Sequence, residues 1–223
     1  MGVEHRHSQE SNEHYSPSMI VKPAHHLMGG IDLDPASCAK ANRVVRASRY
    51  FTKRDNGLAR SWKGRVFLNP PGGIIDEDDN PVLVATKNRQ SCSVTGACGL
   101  APGHVHRGRD SSSRRWWRKL LEEYEAGRVV EAVFVGFSLE ILQVAQQNGG
   151  KSPLMYSICI PAIRLPFLHE DENGKLVPGK DPPGGSLIAY LPRKQFLMAR
   201  RHSFHTEEDF VLMNRFSEFI QMG

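Results

Sequence analysis

Nowhere in the 223 residues does an apolar run reach the length of about 20 residues that a membrane helix needs. A spanning segment is therefore not expected. Cysteine is scarce: only Cys38, Cys92, Cys98 and Cys159 occur. The opening stretch MGVEHRHSQESNEHYS is polar and His-rich, and it lacks the apolar centre of a signal peptide. Together these absences argue against a disulfide framework and for a chain that works in the cytoplasm, with residues 1–14 as a flexible tail. Cys159 lies in an apolar run and reads as a buried thiol. There is no internal repeat, and nothing in the pattern calls for an obligate protein partner.

What is present is ordinary for a globular protein: 39% hydrophobic and 24% charged residues, with a mean hydropathy of −0.42. The length suits one α/β domain over residues 15–223. The formal net charge is +5 and the isoelectric point is near 9.1. A basic excess suits a polyanionic partner, because neutralising phosphates releases counterions. Its alternative is plain surface charge. The cations are clustered, with Arg107, Arg109, Arg114, Arg115, Arg118 and Lys119 in one stretch and Arg193, Lys194, Arg200 and Arg201 in another.

Along the chain, Ile31–Asp34 has strand character and ends on Asp34-Pro35, a turn signal. Pro35–Val45 can be helical, and Tyr50–Thr52 can form a short strand. Arg65–Leu68 is an apolar strand stopped by Asn69-Pro70-Pro71-Gly72-Gly73, which can continue neither a ladder nor a helix. Residues 74–113 read as a long irregular insertion. Helical periodicity resumes over Arg114–Gly127, with Trp117, Leu120, Leu121 and Tyr124 on one face. Val129–Phe137 suits a central parallel strand covered on both sides. A short helix is expected over Ser138–Gln147, and another buried strand over Leu154–Ile160. Leu165–Leu168 and Ser186–Leu191 flank a polar connection and read as a long hairpin. Thr206 opens a C-terminal helix. The expected fold is α/β, with a mostly parallel sheet and an antiparallel hairpin at its edge.

Ligands of such sheets bind off the carboxyl ends of the strands, where Asp34 and Asn69 both fall. A diproline corner holds its carbonyls in set directions. If Asn69 Oδ1 and the Pro70 carbonyl each accept an N–H of an exocyclic amine, the nitrogen is drawn toward sp³ geometry. Its lone pair then becomes available for attack, and positioning supplies most of the rate. The alternative for Asn69-Pro70-Pro71 is a plain strand-ending turn.

The string HYSP…GGIDLDPAS…AN…RYFTKRDNGLARSWKGRVFLNPP resembles the phage-type DNA N6-adenine methyltransferase family. That family carries, in this order, an (S/T)-P element, a DLDPAS segment, an NGL followed by Trp, and an NPP-aromatic loop. IPAIRLPF…PPGGSLIAYLP resembles its closing segment, so the likeness covers most of Tyr15–Pro192. The resemblance implies a Rossmann-like S-adenosylmethionine-dependent methyltransferase fold, carried by a phage or prophage in a bacterial host and tied to restriction-modification. It implies that Ser16 and Pro17 approach the methionine end of the cofactor. Asp34, with Pro35, would meet the ribose hydroxyls or the amino group. Asp55 and Asn56 would lie near the cofactor's adenine, although a simple turn is the alternative for both. Asn69, Pro70 and Pro71 would hold the target amine.

Two departures stand out. Gly72 replaces the family's aromatic, so a stacking platform must come from elsewhere, for which Trp116 or Trp117 is the candidate. No F-x-G-x-G loop follows the first strand; Gly29-Gly30 precede it instead. Because adenine N6 is inside the duplex, the base must be flipped out. Arg114, Arg115, Trp116, Trp117 and Arg118 are the expected DNA contacts, the alternative being that the indoles face the core. The Gly72 departure keeps a non-catalytic DNA-binding relative in view, and the amine chemistry alone allows other exocyclic amines. Cys92, Cys98, His104 and His106 do not fit the usual zinc spacing, so no metal is expected.

Overall fold

The computed structural model describes residues 14–72, 74–75, 81–82, 110–136, 141–142, 153–179 and 185–195. In chain order these form α1 (Ser18–Met28), β1 (Leu33–Asp34), α2 (Ala39–Val45), β2 (Arg49–Tyr50), a 3₁₀ turn at Gly57–Ala59, β3 (Gly64–Leu68), β4 (Ile74–Ile75) and β5 (Pro81–Val82). They continue with β6 (Asp110–Ser111), α3 (Ser112–Glu125), β7 (Val129–Gly136), β8 (Ser157–Cys159), β9 (Leu168–Glu170), β10 (Leu176–Pro178) and β11 (Leu187–Leu191). Residues 1–13 of the expected tail, the expected C-terminal helix and the Cys92, Cys98, His104, His106 group lie outside the described residues, whereas His14, the tail's last residue, is held by Asn69 and packs on Phe167. Of the expected Ser138–Gln147 helix only 141–142 are described, and both are helical.

Six strands make one sheet in the order β2-β1-β3-β7-β11-β8. β2, β1, β3 and β7 run parallel, and β11 runs antiparallel to both β7 and β8. Five of the six strands therefore point the same way. The chain is α/β with a mostly parallel sheet, an arrangement compatible with a Rossmann-like fold.

The side-chain alternation explains the layers. Phe67, Val133, Val135, Ile188 and Tyr190 point to one face, where they meet Ile20, Val21, Ala24, Leu27 and Met28 of α1. Val66, Leu68, Ala132, Phe134, Leu187, Ala189 and Leu191 point to the other, against Trp117, Leu120, Leu121 and Tyr124 of α3. Residues of period 2 on β3, β7 and β11 thus fill two cores at once.

The antiparallel strand corrects the sequence expectation in two ways. β11 lies between β7 and β8, so it is not an edge, and its five residues are all buried. An apolar strand with no polar face requires cover on both sides, and the interior of the sheet supplies it. Nor does Leu165–Leu168 pair with Ser186–Leu191. β9 pairs with β10 in a separate two-stranded sheet. The stretch read as an irregular insertion also contains pairing, since β4 joins β5 and β6 antiparallel.

α1 was not anticipated. Its buried positions Ile20, Val21, Ala24, Leu27 and Met28 follow helical spacing, but Pro23 interrupts the sequence signal. Gly29 ends it in the left-handed conformation, φ 69°. Among the described residues no helix is long and apolar enough to cross a membrane.

The amino end of the sheet is closed by charge pairs. Arg65 donates from Nε and from its backbone N–H to Asp32 Oδ2 (3.0 and 2.8 Å) and from Nη2 to Oδ1 (2.7 Å). Its Nη1 reaches the carbonyls of Met28 and Gly29 (3.2 and 2.6 Å), which ties the end of α1 to β3. The Arg65 hydrogen bond holds the Asp32 carboxyl below its ordinary range. A depressed carboxyl contributes stability above about pH 4 and loses it as pH falls through the folded-state value. Asp32→Asn is expected to lower stability by about 1–2 kcal/mol at pH 7. The gap to wild type should narrow below about pH 4, as read by thermal unfolding at both pH values.

Candidate functional site

β1 has β2 on one side and β3 on the other, so the strand order reverses there. In open α/β sheets a crevice opens at the carboxyl ends flanking such a reversal. Asp34 ends β1 and Asn69 follows β3. Leu33 is level with Val66, which puts Asn69 level with Ala36. The Asp34 and Asn69 backbones are then about 8 Å apart, two residues along and one strand across.

Asn69 leaves the sheet because Pro70 and Pro71 cannot extend it. Its Nδ2 donates to the His14 carbonyl at 2.9 Å, while its Oδ1 is buried and has no hydrogen-bond partner. An acceptor left so costs about 1–3 kcal/mol. Pro70 is buried and Pro71 exposed. A Cβ placed on Gly72 would meet nothing within 4 Å, so the space beside the loop is open.

The His14 contact brings the N-terminal segment to Asn69. Tyr15 pairs through both its backbone groups with Leu168 at 2.8 Å. Next to it, Ser16 is 3% exposed and its hydroxyl has no partner. Pro17 is buried and opens α1, its carbonyl accepting from Ile20 and Val21.

Asp34 is also 3% exposed. Burial pushes its carboxyl up to about 7, against the opposing pull of Ser37 and the Ala36 amide. The Ala36 N–H donates to Oδ1 at 3.2 Å. Pro35 is buried, and its carbonyl oxygen would be only 2.0 Å from a Cβ on Gly57. The Asp55-Asn56-Gly57 turn is therefore packed directly on the end of β1. Within that turn Asp55 Oδ2 accepts from the Thr52 amide and hydroxyl (2.8 and 2.7 Å), which holds its carboxyl below the usual range. Asp55 shapes the turn, as the simpler sequence alternative had it. Asn56 is exposed and sits at φ 49°.

The structure thus brings Ser16, Pro17, Asp34, Pro35, Asn56 and Asn69 to one edge. The tryptophans are not open there: Trp116 reaches this edge only as packing against Gly57, and both rings are buried. Trp116 is 7% and Trp117 1% exposed. Trp116 stacks on Trp62 at 5.9 Å, and Trp117 packs edge-on against Phe134 and Tyr156. Neither indole presents an exposed face to a base, because both supply apolar area to the core under α3. Arg114 and Arg115 are half-buried and Arg118 is exposed.

Two residues at this edge escaped sequence reasoning. Ser186, just before β11, is 3% exposed with an unpartnered hydroxyl. Because β11 is antiparallel, its amino end lies with the carboxyl ends of the others. Ser112 opens α3 at the same edge, fully buried and likewise unpartnered. Only the strand direction reveals either of them; serines in polar stretches carry no signal. A separate cavity of about 300 Å³, lined by Asp32, Ser48, Arg49, Ser61 and Lys63 among others, lies at the opposite, amino end of the strands. Among the described residues no group of three or more His, Cys, Asp or Glu is placed to hold a metal ion.

No family model, curated protein or solved structure matches the chain.

A raised carboxyl stays protonated in the folded chain while the unfolded chain ionises from about pH 4 upward. Stability from Asp34 is therefore lost between about pH 4 and the folded value near 7. Asp34→Asn should remove that loss, stabilising by about 2–4 kcal/mol at pH 8 and by little at pH 4. Thermal or denaturant unfolding across that range measures it; equal effects at both pH values would sink the assignment.

Proposed function

We propose that the protein is an S-adenosylmethionine-dependent methyltransferase that acts on adenine N6 in DNA, in the cytoplasm of a bacterial host of a phage or prophage. The observation that carries this reading is the buried, unpartnered Asn69 Oδ1 at the carboxyl end of β3. Its orientation is set by the Nδ2 bond to His14. An amide oxygen kept dry and unmatched in a rigid corner suits a ligand that donates an N–H.

The residues at this carboxyl edge suit the cofactor that the motifs imply. Asp34 is desolvated, with the Ala36 amide and Ser37 as its polar neighbours, and the Ser16 hydroxyl lacks a partner. Such groups suit ribose hydroxyls and a cationic amino group. S-adenosylmethionine supplies a methyl carbon activated by its sulfonium charge. Asn69 Oδ1 and the Pro70 carbonyl would accept the two amine N–H groups and turn the nitrogen lone pair toward that carbon. The amine proton, made acidic once the nitrogen is methylated, would stay hydrogen-bonded to Asn69 Oδ1 until it left for solvent, so no strong base would be required.

A second reading is favoured by the tryptophan placement. With Gly72 at the aromatic position and both α3 indoles buried, the described residues offer no stacking platform from these positions. A relative that binds DNA without turnover would need none. Methyl transfer from labelled S-adenosylmethionine to unmethylated plasmid DNA distinguishes the two.

Asn69→Ala should lower methyl transfer by about 100-fold or more while S-adenosylmethionine affinity stays within about twofold. Equal loss of both would make the loop structural. Gly72 has open space and no left-handed φ. Gly72→Tyr is expected to raise kcat/KM by about tenfold through restored stacking. An unchanged or lowered value would show that the platform lies elsewhere.

A further inference from the structure

Between the end of β8 and the start of β9 the chain runs Ile160-Pro161-Ala162-Ile163-Arg164. Both flanks are anchored. Cys159 and Leu165 are each 3% exposed, and the amide of the buried Phe167 donates to the Leu165 carbonyl at 2.9 Å. The span between them is open: Ile160 is 55% and Ile163 43% exposed, with Ala162 and Arg164 exposed beside them. Pro161 stiffens the arch by fixing its own φ. Single exposed aliphatics are ordinary. Two on one short arch tied down at both ends form a firm apolar projection.

Register places this arch at the same edge of the sheet as the candidate site. Cys159 is level with Ile188, and Ile188 with Val135. Leu68 is level with Phe134, which puts Asn69 level with Val135. Cys159 is therefore level with Asn69, three strands or about 14 Å across, and Ile160 leaves the sheet one residue beyond that height. The arch then turns back toward Asn69. Leu168 pairs with Tyr15, the Phe167 ring packs on His14 at 6.5 Å, and His14 holds Asn69.

We infer that Ile160 and Ile163 form a wedge that enters the base stack of duplex DNA and fills the gap left when the target base swings toward Asn69. The inference rests on the reading of Asn69 as the acceptor of a nucleobase amine. Taking a base out of the stack costs energy, and aliphatic side chains inserted at a base step offset part of it. The partner is argued from charge and shape. Base pairs offer apolar stacked faces bordered by phosphates, which match two isoleucines with Arg164 alongside on a chain of net charge +5.

The test uses two short duplexes of one sequence, one intact and one with a single abasic site, and reads binding by fluorescence anisotropy. The abasic duplex has already lost a stacked base, so a wedge enters it more easily. Wild type is expected to bind it about fivefold more tightly, or better. Ile160→Ser with Ile163→Ser should bring the two affinities within about twofold at an unchanged thermal midpoint. If the serine pair unfolds, Ile160→Ala with Ile163→Ala reads the same preference. Wild type binding both duplexes equally, or a folded variant keeping the full preference, overturns the wedge. Methyl transfer to plasmid DNA, scored on the same wild-type protein, separates the two ideas. Preference without transfer leaves the wedge and removes the catalytic reading; transfer without preference does the reverse.

Discussion

The carboxyl edge of the sheet depends on the approach of the Gly57 backbone to the Pro35 carbonyl. A Cβ at Gly57 would be 2.0 Å from that oxygen, so no other residue fits without separating the two segments. Trp62 fixes the arrangement from below. Its Nε1 donates to the Gly57 carbonyl at 2.8 Å, its ring is fully buried, and it stacks on Trp116 of α3. One glycine thereby joins the end of β1, the connection from β2 to β3, and the first turns of α3. With the turn laid on Pro35, the adjoining Asp34 is left with almost no contact with water. Its raised carboxyl is a consequence of this packing.

The opposite edge is organised on another principle. Arg65 on β3 is level with Glu131 on β7, and Asp32 pairs with Arg65. Glu131 is 3% exposed, accepting from the Tyr190 hydroxyl and from Arg193 Nε. Glu123, 1% exposed, is paired with both Lys119 and Arg128. The Tyr124 hydroxyl donates to the Pro192 carbonyl, and Lys194 reaches the carbonyl of Glu125 at 2.6 Å. Buried pairs of this kind add little net stability over apolar residues, yet breaking one leaves an expensive lone charge. Their effect here is to set strand register and to pin the chain as it leaves β11.

The long elements were legible in the sequence because each bears a strong period. β3, β7 and α3 lie within two residues of where apolar spacing puts them, and Asn69 falls at a strand end because two prolines admit nothing else. α1 was hidden by Pro23, although its buried face keeps helical spacing. The place of β11 was illegible for a different reason. Apolar residues at all five positions say that both faces are covered, but not which strands lie alongside, and a polar connection invites pairing with the nearest run. Within the site, Asp34 and Asn69 could be read from turn chemistry, whereas Gly57 resting on Pro35 is a tertiary contact with no local signature. The tryptophans illustrate the opposite error. Flanking arginines suggested an exposed aromatic surface, while helical spacing from Trp117 to Tyr124 already placed one indole in the core.

The two edges differ in how their buried polar atoms are satisfied, and that difference bears on function. At the amino edge the buried carboxylates of Glu123 and Glu131 each have cationic or hydroxyl partners. At the carboxyl edge the hydroxyls of Ser16, Ser112 and Ser186 and the amide oxygen of Asn69 are buried without partners. At about 1–3 kcal/mol each, four such groups consume a large part of the margin by which a domain is stable. Apolar replacements of similar size would remove that cost, and the same fold shows that it can pair polar groups thoroughly elsewhere. Unmatched donors and acceptors spread along the carboxyl edge therefore make physical sense as groups whose partners arrive with a ligand. The acceptor on Asn69, held by His14 on one side and by two prolines on the other, is the member of that set whose direction the fold controls most tightly.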